Sequence, residues 1–318
     1  MATLSVESPP SVRERYAGLL QGAFAADALA LSAHWIYDQD ELSRTFGRIT
    51  DLLAAPSDSY HAARERGAQT HYGDQTLVLM ESLDACAGNF VMEDFARRWR
   101  TFWNDSTAYR DKATKQTLAH FAEEKGLTRV GSDSTDLAGA VRIAPLLLAL
   151  RNEEKPTIIG AVRAQTALTH ATPQVMDAAE FIARTVFLLM QGVSIGSALP
   201  MAATQPYRML PAEIYLRQAQ EVISLPTAAA VAELGQACPI AKAMPSVFLI
   251  LLQHGHDPET ALIENVMAGG DSAARGMALG ILLGAAHGRR VIPQRWLDPL
   301  LARPRVEAFL ETVGIGGV

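Results

Sequence analysis

Apolar positions along the chain recur mainly at helical spacing, and the breaks between them carry helix punctuation. Thr172-Pro173 opens a run to Gln191 that stops at Gly192, with Asp177 and Glu180 in its early turns. A threonine N-cap, a proline at the first helical position and a glycine past the end are the usual start and stop signals. Asp257-Pro258-Glu259 opens a second run that ends near Gly269-Gly270. Met244-Pro245 opens a third, which continues through Val247 to Leu252 and closes at Gly255. Further stretches of helical period cover Val12 to Leu31, Gln75 to Ala87, Met92 to Trp103, Asp111 to Glu124, Leu137 to Leu150 and Pro211 to Glu221. Alternating runs of β-branched residues are nearly absent, which argues against strands. The pattern predicts an all-α chain. No linker, low-complexity tract or repeat divides it, so residues 11–318 are expected to form one helical domain behind a flexible tail at residues 1–10.

One helix stands apart. Gly276, Gly280, Gly284 and Gly288 recur every four residues, with Ala273 before them. This spacing lines the glycines along one face. Each interior glycine costs ~1 kcal/mol relative to alanine, so their repetition predicts close approach of a neighbouring backbone and a central position for the helix.

Composition narrows the function classes. Hydrophobic residues make up 49% of the 318, enough for a deep core, which excludes a disordered chain. Lys and Arg number 28 against 34 Asp and Glu, a net charge of −6, so neither nucleic acid nor an anionic membrane is an expected partner. Cys86 and Cys238 cannot supply a disulfide framework or a four-thiolate zinc site, and a reducing, cytoplasmic setting is expected. The most apolar stretch, Gly276 to Ala286, falls short of the ~20 residues of a membrane span. Met1 to Arg15, with Glu7, Pro9 and Pro10, has no apolar segment of signal-peptide length.

Candidate chemistry sits where polar residues interrupt apolar sequence. Asp27 is followed by His34-Trp35-Ile36-Tyr37-Asp38 at the end of the first long helix. His71-Tyr72-Gly73-Asp74-Gln75-Thr76 precedes another helix, and Gly269-Gly270-Asp271-Ser272 precedes the glycine-rich one. Asp74 and Asp271 follow glycines at helix starts, where an Asp either caps the helix or aims its carboxylate into a cavity. His170, in Thr169-His170-Ala171-Thr172-Pro173, either bonds local backbone or lines a ligand. Gly131-Ser132-Asp133-Ser134-Thr135-Asp136 either starts the next helix in the ordinary way or presents backbone N–H groups to a phosphate, which its acidic residues disfavour.

Taken in order, Gly22-Ala23-Phe24-Ala25-Ala26-Asp27-Ala28-Leu29, Gly73-Asp74-Gln75-Thr76, Arg142-Ile143-Ala144-Pro145, Thr169-His170-Ala171-Thr172-Pro173 and Gly269-Gly270-Asp271-Ser272 resemble the ADP-ribosylglycohydrolase family from about residue 15 to 290. His34-Trp35-Ile36-Tyr37-Asp38 and Asp136-Leu137-Ala138-Gly139-Ala140-Val141-Arg142 resemble its branch that includes the lens J-crystallins. The resemblance implies a single-domain orthogonal helical bundle. It also implies a cleft for ADP-ribose above two magnesium ions, held by a Thr-Asp-Asp motif, an Asp-x-Asp-Thr motif and a Glu ending the first long helix. Here those positions read Gly73-Asp74-Gln75, Asp271-Ser272-Ala273-Ala274 and His34. The carboxylate set shrinks to Asp74 and Asp271, too little charge for two magnesium ions. Three arrangements remain open. Asp74, Asp271 and His34 hold a single divalent ion, of a kind that accepts imidazole; or they act without metal as acid and base; or Arg275 neutralises the Asp pair.

Two functions follow. The first is a hydrolase of an N- or O-glycosidic bond in a ribosyl or ADP-ribosyl compound. Asp74, Asp271 and His34 would be catalytic, and Gly131, Ser132, Asp133, Asp136, His170, Gln75 and Arg275 would bind a nucleotide or ribosyl ligand. An oxocarbenium-like transition state makes a nearby carboxylate useful even without metal. The second is a non-catalytic, crystallin-like member that keeps the bundle as a structural or ligand-binding protein.

Overall fold

The computed structural model describes residues 8–317. Among them the regular structure is helical: α1 Val12–Ala30, α2 Gln39–Phe46, α3 His71–Ala85, α4 Met92–Asp105, α5 Lys112–Ala122, α6 Ala144–Ala149, α7 Lys155–Ala167 and α8 Pro173–Met190, followed by α9 Ile195–Ala203, α10 Ala212–Glu221, α11 Thr227–Leu234, α12 Ile240–His254, α13 Pro258–Met267, α14 Ser272–His287, α15 Gln294–Leu297 and α16 Arg303–Thr312. The expected tail falls mostly outside the described residues. Within them, Pro10 lies against Gly288 and its carbonyl accepts from Arg15 at 3.3 Å.

Helix α1 starts at a capping box: Ser11 Oγ accepts from the Glu14 amide, and Glu14 accepts from the Ser11 amide at 2.8 Å. From Ala17 onward every residue of α1 is buried, as suits a helix apolar on all sides. Its partner is the glycine-rich α14. A Cβ built at Gly280 would meet the Gly22 carbonyl at 2.2 Å, and one at Gly284 the Gly18 carbonyl at 2.1 Å. The contacts run Gly18 to Gly284, Gly22 to Gly280 and Ala26 to Gly276, so the two helices cross antiparallel with their backbones touching. This central pair brings the C-terminal end of α1 beside the N-terminal end of α14, where the candidate site lies.

Three expected helices differ in the structure. Leu137 to Leu150 is a short 3₁₀ turn at Leu137–Gly139, a bend and then α6. Gly139 passes so close to His170 that a Cβ would meet its Cγ at 2.4 Å, and Arg142 is buried at the bend. Pro245 does not start a helix: α12 begins at Ile240 and carries Pro245 inside, while Ser246 Oγ donates to the Lys242 carbonyl at 3.2 Å. Helix α3 begins four residues earlier than the period suggested, with Thr70 as its N-cap.

Candidate functional site

Three left-handed backbone positions build the floor of the site. Gly269 and Gly270 turn with φ of 72° and 68°, and Trp35 holds φ of 69°. A non-glycine residue in this region is uncommon and needs support from its surroundings. Trp35 N donates to Gly270 O at 2.9 Å, and Gly270 N donates to Ile36 O at 2.7 Å. A side chain at position 270 would collide with Gln236 O, 2.3 Å from its Cβ. Arg275, fully buried, clamps this loop through Gly269 O at 2.5 Å and Gln236 O at 3.1 Å, and it reaches Asn265 Oδ1 at 3.2 Å. Asp271 then caps α14, accepting from Ala274 N at 3.3 Å, and stands 3.6 Å from His34 Nδ1. Neither His34 nitrogen has a hydrogen-bond partner among the described residues, and the Asp271 carboxylate has the Cys238 thiol beside it.

The first turn of α3 forms one wall. Asp27 accepts from Thr70 N at 2.7 Å and Thr70 Oγ1 at 2.6 Å, which fixes the helix start. His71 Nε2 then lies 3.3 Å from Asp111 Oδ2, and His71 Nδ1 lies 3.0 Å from His61 Nε2. Asp111 also caps α5, accepting from Thr114 N at 2.6 Å. Aromatic rings close over these groups. Trp35 stacks on His34 with centroids 4.3 Å apart, and Trp35, Tyr60 and Tyr109 meet edge to face at 5.0–5.3 Å.

The structure brings His34 and Asp271 together but turns Asp74 away. Asp74 pairs with Arg64 at 2.5 Å and opens onto a separate cavity of about 470 Å³ with Arg97, Arg98 and Arg305. His71 and Tyr72 are the α3 residues whose rings approach His34, with centroids 6.3 and 5.4 Å away, while the Asp74 carboxylate is taken up by Arg64. Gln75 is a core hub rather than a ligand contact. Its Oε1 accepts from Arg142 Nη1 and Trp99 Nε1, both at 2.8 Å. Arg275 is a loop clamp and neutralises no Asp pair.

The loop from Gly131 to Asp136 is stitched into the fold. Ser132 N donates to Thr169 O at 2.9 Å, Asp133 N to Gln116 Oε1 at 3.4 Å, Ser134 N to Ser132 Oγ at 3.3 Å and Asp136 N to Ser134 Oγ at 3.1 Å. These four amides are not free to cradle a phosphate. Gly131 is required because a Cβ there would meet Ala167 O at 2.1 Å. His170 is buried rather than at the rim, with Nδ1 3.0 Å from Thr169 Oγ1; Arg142 also reaches that hydroxyl. The sequence reading missed His61, Asp111, Tyr60 and Tyr109, and it gave His71 and Trp35 no role. The His71-Tyr72 pair directly before Gly73-Asp74 was the available signal.

Burial sets the charges. It pushes His34 well below its ordinary value, with His61 and His71 adding to the effect. It takes His61 and His170 down to about 3, aided by His71 for the first and Arg142 for the second. Burial raises Asp271 to about 6, against the opposing pull of Arg275. It raises Asp27 to about 7 and lifts Asp136. Burial also pushes Asp111 up, but the hydrogen bond and charge of His71 outweigh it and hold this carboxyl well below the usual range. At neutral pH the floor is therefore a neutral imidazole beside a carboxylate that titrates just below neutrality.

The ADP-ribosylglycohydrolase profile matches residues 8–315. The chain belongs to the ADP-ribosylglycohydrolase family. An uncharacterized protein of Archaeoglobus fulgidus is 25% identical over 303 residues, covering 93% of this chain and 94% of its own length. A solved structure titled "ADP-ribosylglycohydrolase-related protein complex" superposes with a TM-score of 0.74 at 22% identity, covering 95% of this chain and 98% of that one. The helical fold is thus that of the ADP-ribosylglycohydrolases.

The donor set of this family member does not fit a paired magnesium centre. Magnesium asks for an octahedron of oxygen ligands rich in carboxylate. Here both oxygens of Asp27 accept from Thr70, Asp74 holds Arg64, and Asp271 faces an imidazole. A threonine at position 73 has no room, since a Cβ there would meet Asp27 Oδ2 at 2.5 Å. Ala273 and Ala274 are buried in the core and carry no donor.

Proposed function

We propose that this ADP-ribosylglycohydrolase family member binds a ribosyl compound against His34 and Asp271 and hydrolyses its glycosidic bond without a paired metal centre. The observation that carries this reading is the 3.6 Å approach of His34 Nδ1 to Asp271 Oδ1, with both side chains fully buried. A buried polar atom left unpaired costs roughly 1–3 kcal/mol, so a pair kept this way suits a site rather than a core. Breaking a ribosyl bond develops positive charge at the anomeric carbon and ring oxygen. The Asp271 carboxylate stabilises that charge. His34, neutral at working pH, accepts a proton from the attacking water and passes it to the departing group, so the bond from the anomeric carbon to that group breaks as the bond to the water oxygen forms. The Arg275 clamp and the Trp35–Gly270 hydrogen-bond pair hold the two groups in register. Among the described residues no helix is long and apolar enough to cross a membrane, and a cytoplasmic site of action fits the two free cysteines.

A second reading, a crystallin-like scaffold that has lost the chemistry, is favoured by the Asp74–Arg64 ion pair and by Gln75 locked under Arg142 and Trp99. Both replace family ligand positions with internal contacts. Thermal-shift and hydrolysis assays with ADP-ribosyl and simpler ribosyl compounds separate the readings. Binding or turnover of any member supports the site, and silence throughout supports the scaffold.

A further inference from the structure

Three helices, α3, α5 and α14, aim their N-terminal ends at this site. A helix N-terminus is a ready place for a phosphate, because its free amides and dipole favour an anion. In this chain each of those ends already meets an acceptor from the protein. Thr70 Oγ1 accepts from Tyr72 N, and Asp27 from Thr70 N, at α3; Asp111 caps α5; Asp271 caps α14. Four amides of the 131–136 loop, those of Ser132, Asp133, Ser134 and Asp136, are likewise engaged. The buried guanidiniums offer no alternative. Arg275 holds backbone carbonyls and Asn265, and Arg142 holds Gln75 and Thr169.

The groups left for a ligand are of another kind. Asp111 and Asp271 carry negative charge, and the buried His34 side chain has both nitrogens unpartnered among the described residues. Aromatic faces lead outward from them, through Trp35 to Tyr109 and to Tyr60, which is 58% exposed. A flat heteroaromatic base suits such rings, by stacking or edge contact. A diphosphate would instead be placed against carboxylates in a low-dielectric setting, where like charges repel strongly. Lys112 and Lys115 are exposed, Lys115 over the Tyr109 ring and Lys112 near enough to act on Asp136, and solvent and salt screen both.

Resting on the ribosyl reading above, we infer that the ligand is a ribosyl compound without phosphate: a nucleoside whose aromatic base lies against Trp35, Tyr60 and Tyr109 and whose ribose reaches His34 and Asp271. The site thus departs from the nucleoside-diphosphate ligand that the family resemblance implies.

Calorimetric titration of the full chain tests this with adenosine, guanosine, cytidine and uridine, each beside its own 5′-monophosphate and 5′-diphosphate, and with ADP-ribose. The expected result is that at least one nucleoside binds, its monophosphate binds at least tenfold more weakly, and its diphosphate more weakly again. A nucleotide or ADP-ribose that binds as tightly as the nucleoside overturns the inference and leaves the ribosyl reading standing. Silence across the whole panel overturns both. Asp111→Asn keeps the α5 cap, since Asn caps as well as Asp, and is expected to narrow the gap between nucleoside and nucleotide. A gap that stays at its wild-type width contradicts the electrostatic basis, and the wild-type comparison decides the matter should the variant fold poorly.

Discussion

His34 Nδ1 stands 3.6 Å from Asp271 Oδ1, and neither side chain reaches solvent. The two residues are 237 positions apart, and they meet because α1 and α14 cross antiparallel on paired glycines. The site therefore depends on how closely two backbones can approach.

The glycine contact predicts opposite outcomes for one substitution made at two places. Gly280→Ala puts a methyl 2.2 Å from the Gly22 carbonyl, and backbone cannot swing aside. The expected loss is roughly 2–3 kcal/mol, despite the gain in helix propensity. Gly160→Ala, at an exposed position of α7 with nothing within 4 Å, is expected to gain about 0.5–1 kcal/mol. Urea denaturation of both variants checks the pair.

Asp74 provides a second test. It faces Arg64 and a separate cavity, and burial raises its carboxyl despite that arginine. Asp74→Asn is expected to stay within about 1 kcal/mol of wild type in stability and to bind ribosyl ligands at wild-type affinity. A tenfold loss of binding in a folded Asp74→Asn protein would return this residue to the site.

Magnesium gives a third. Titrating metal-stripped protein with MgCl₂ is expected to give no tight two-site isotherm, because Asp27 accepts from Thr70, Asp74 pairs with Arg64 and Asp271 faces an imidazole. Two tight sites would mean that ligands come from residues other than Asp27, Asp74 and Asp271.

The fold was legible in the sequence where local signals were strong. The Thr172-Pro173 cap, the Asp257-Pro258 cap and the four-residue glycine spacing each correspond to an element at that place. Leu137 to Leu150 was not legible as a broken segment, because the break answers a distant contact, Gly139 against His170. His34 and Asp271, which stand out as polar interruptions and in the family resemblance, lie beside each other in the fold. The pairing of Asp74 with Arg64 was not legible, since Arg64 lies in a segment without periodicity upstream of the N-cap at Thr70. His61, Tyr60 and Tyr109 lie in segments without periodicity, and only the fold brings them onto Trp35 and His71.

Acid and base act in opposite directions on two of the carboxylates. Asp271 is raised to about 6, so the folded chain keeps a proton that the unfolded chain releases from about pH 4 upward. Its contribution is full below about pH 4 and is lost as pH rises through about 6, a change of roughly 3 kcal/mol at most. Asp271→Asn should therefore gain stability relative to wild type between pH 4 and 7. Asp111 is held low, so its contribution is present above about pH 4 and lost on acidification. Asp111→Asn should be less stable than wild type at pH 7, with the gap shrinking below pH 4. Chemical denaturation of the three proteins at pH 3, 5 and 7 reads both signs.

The most direct measurement is Asp271→Asn compared with wild type in a thermal melt and in a binding and hydrolysis assay on ribosyl compounds. Asn keeps the size and the capping oxygen of Asp271, so the start of α14 survives. What it removes is the negative charge beside His34. If that charge serves a ribosyl ligand, the variant melts at or above the wild-type temperature at pH 7 and loses binding or turnover by at least a hundredfold. A variant that melts like wild type and keeps full binding and turnover would show that Asp271 is only a helix cap, and would contradict the proposed site.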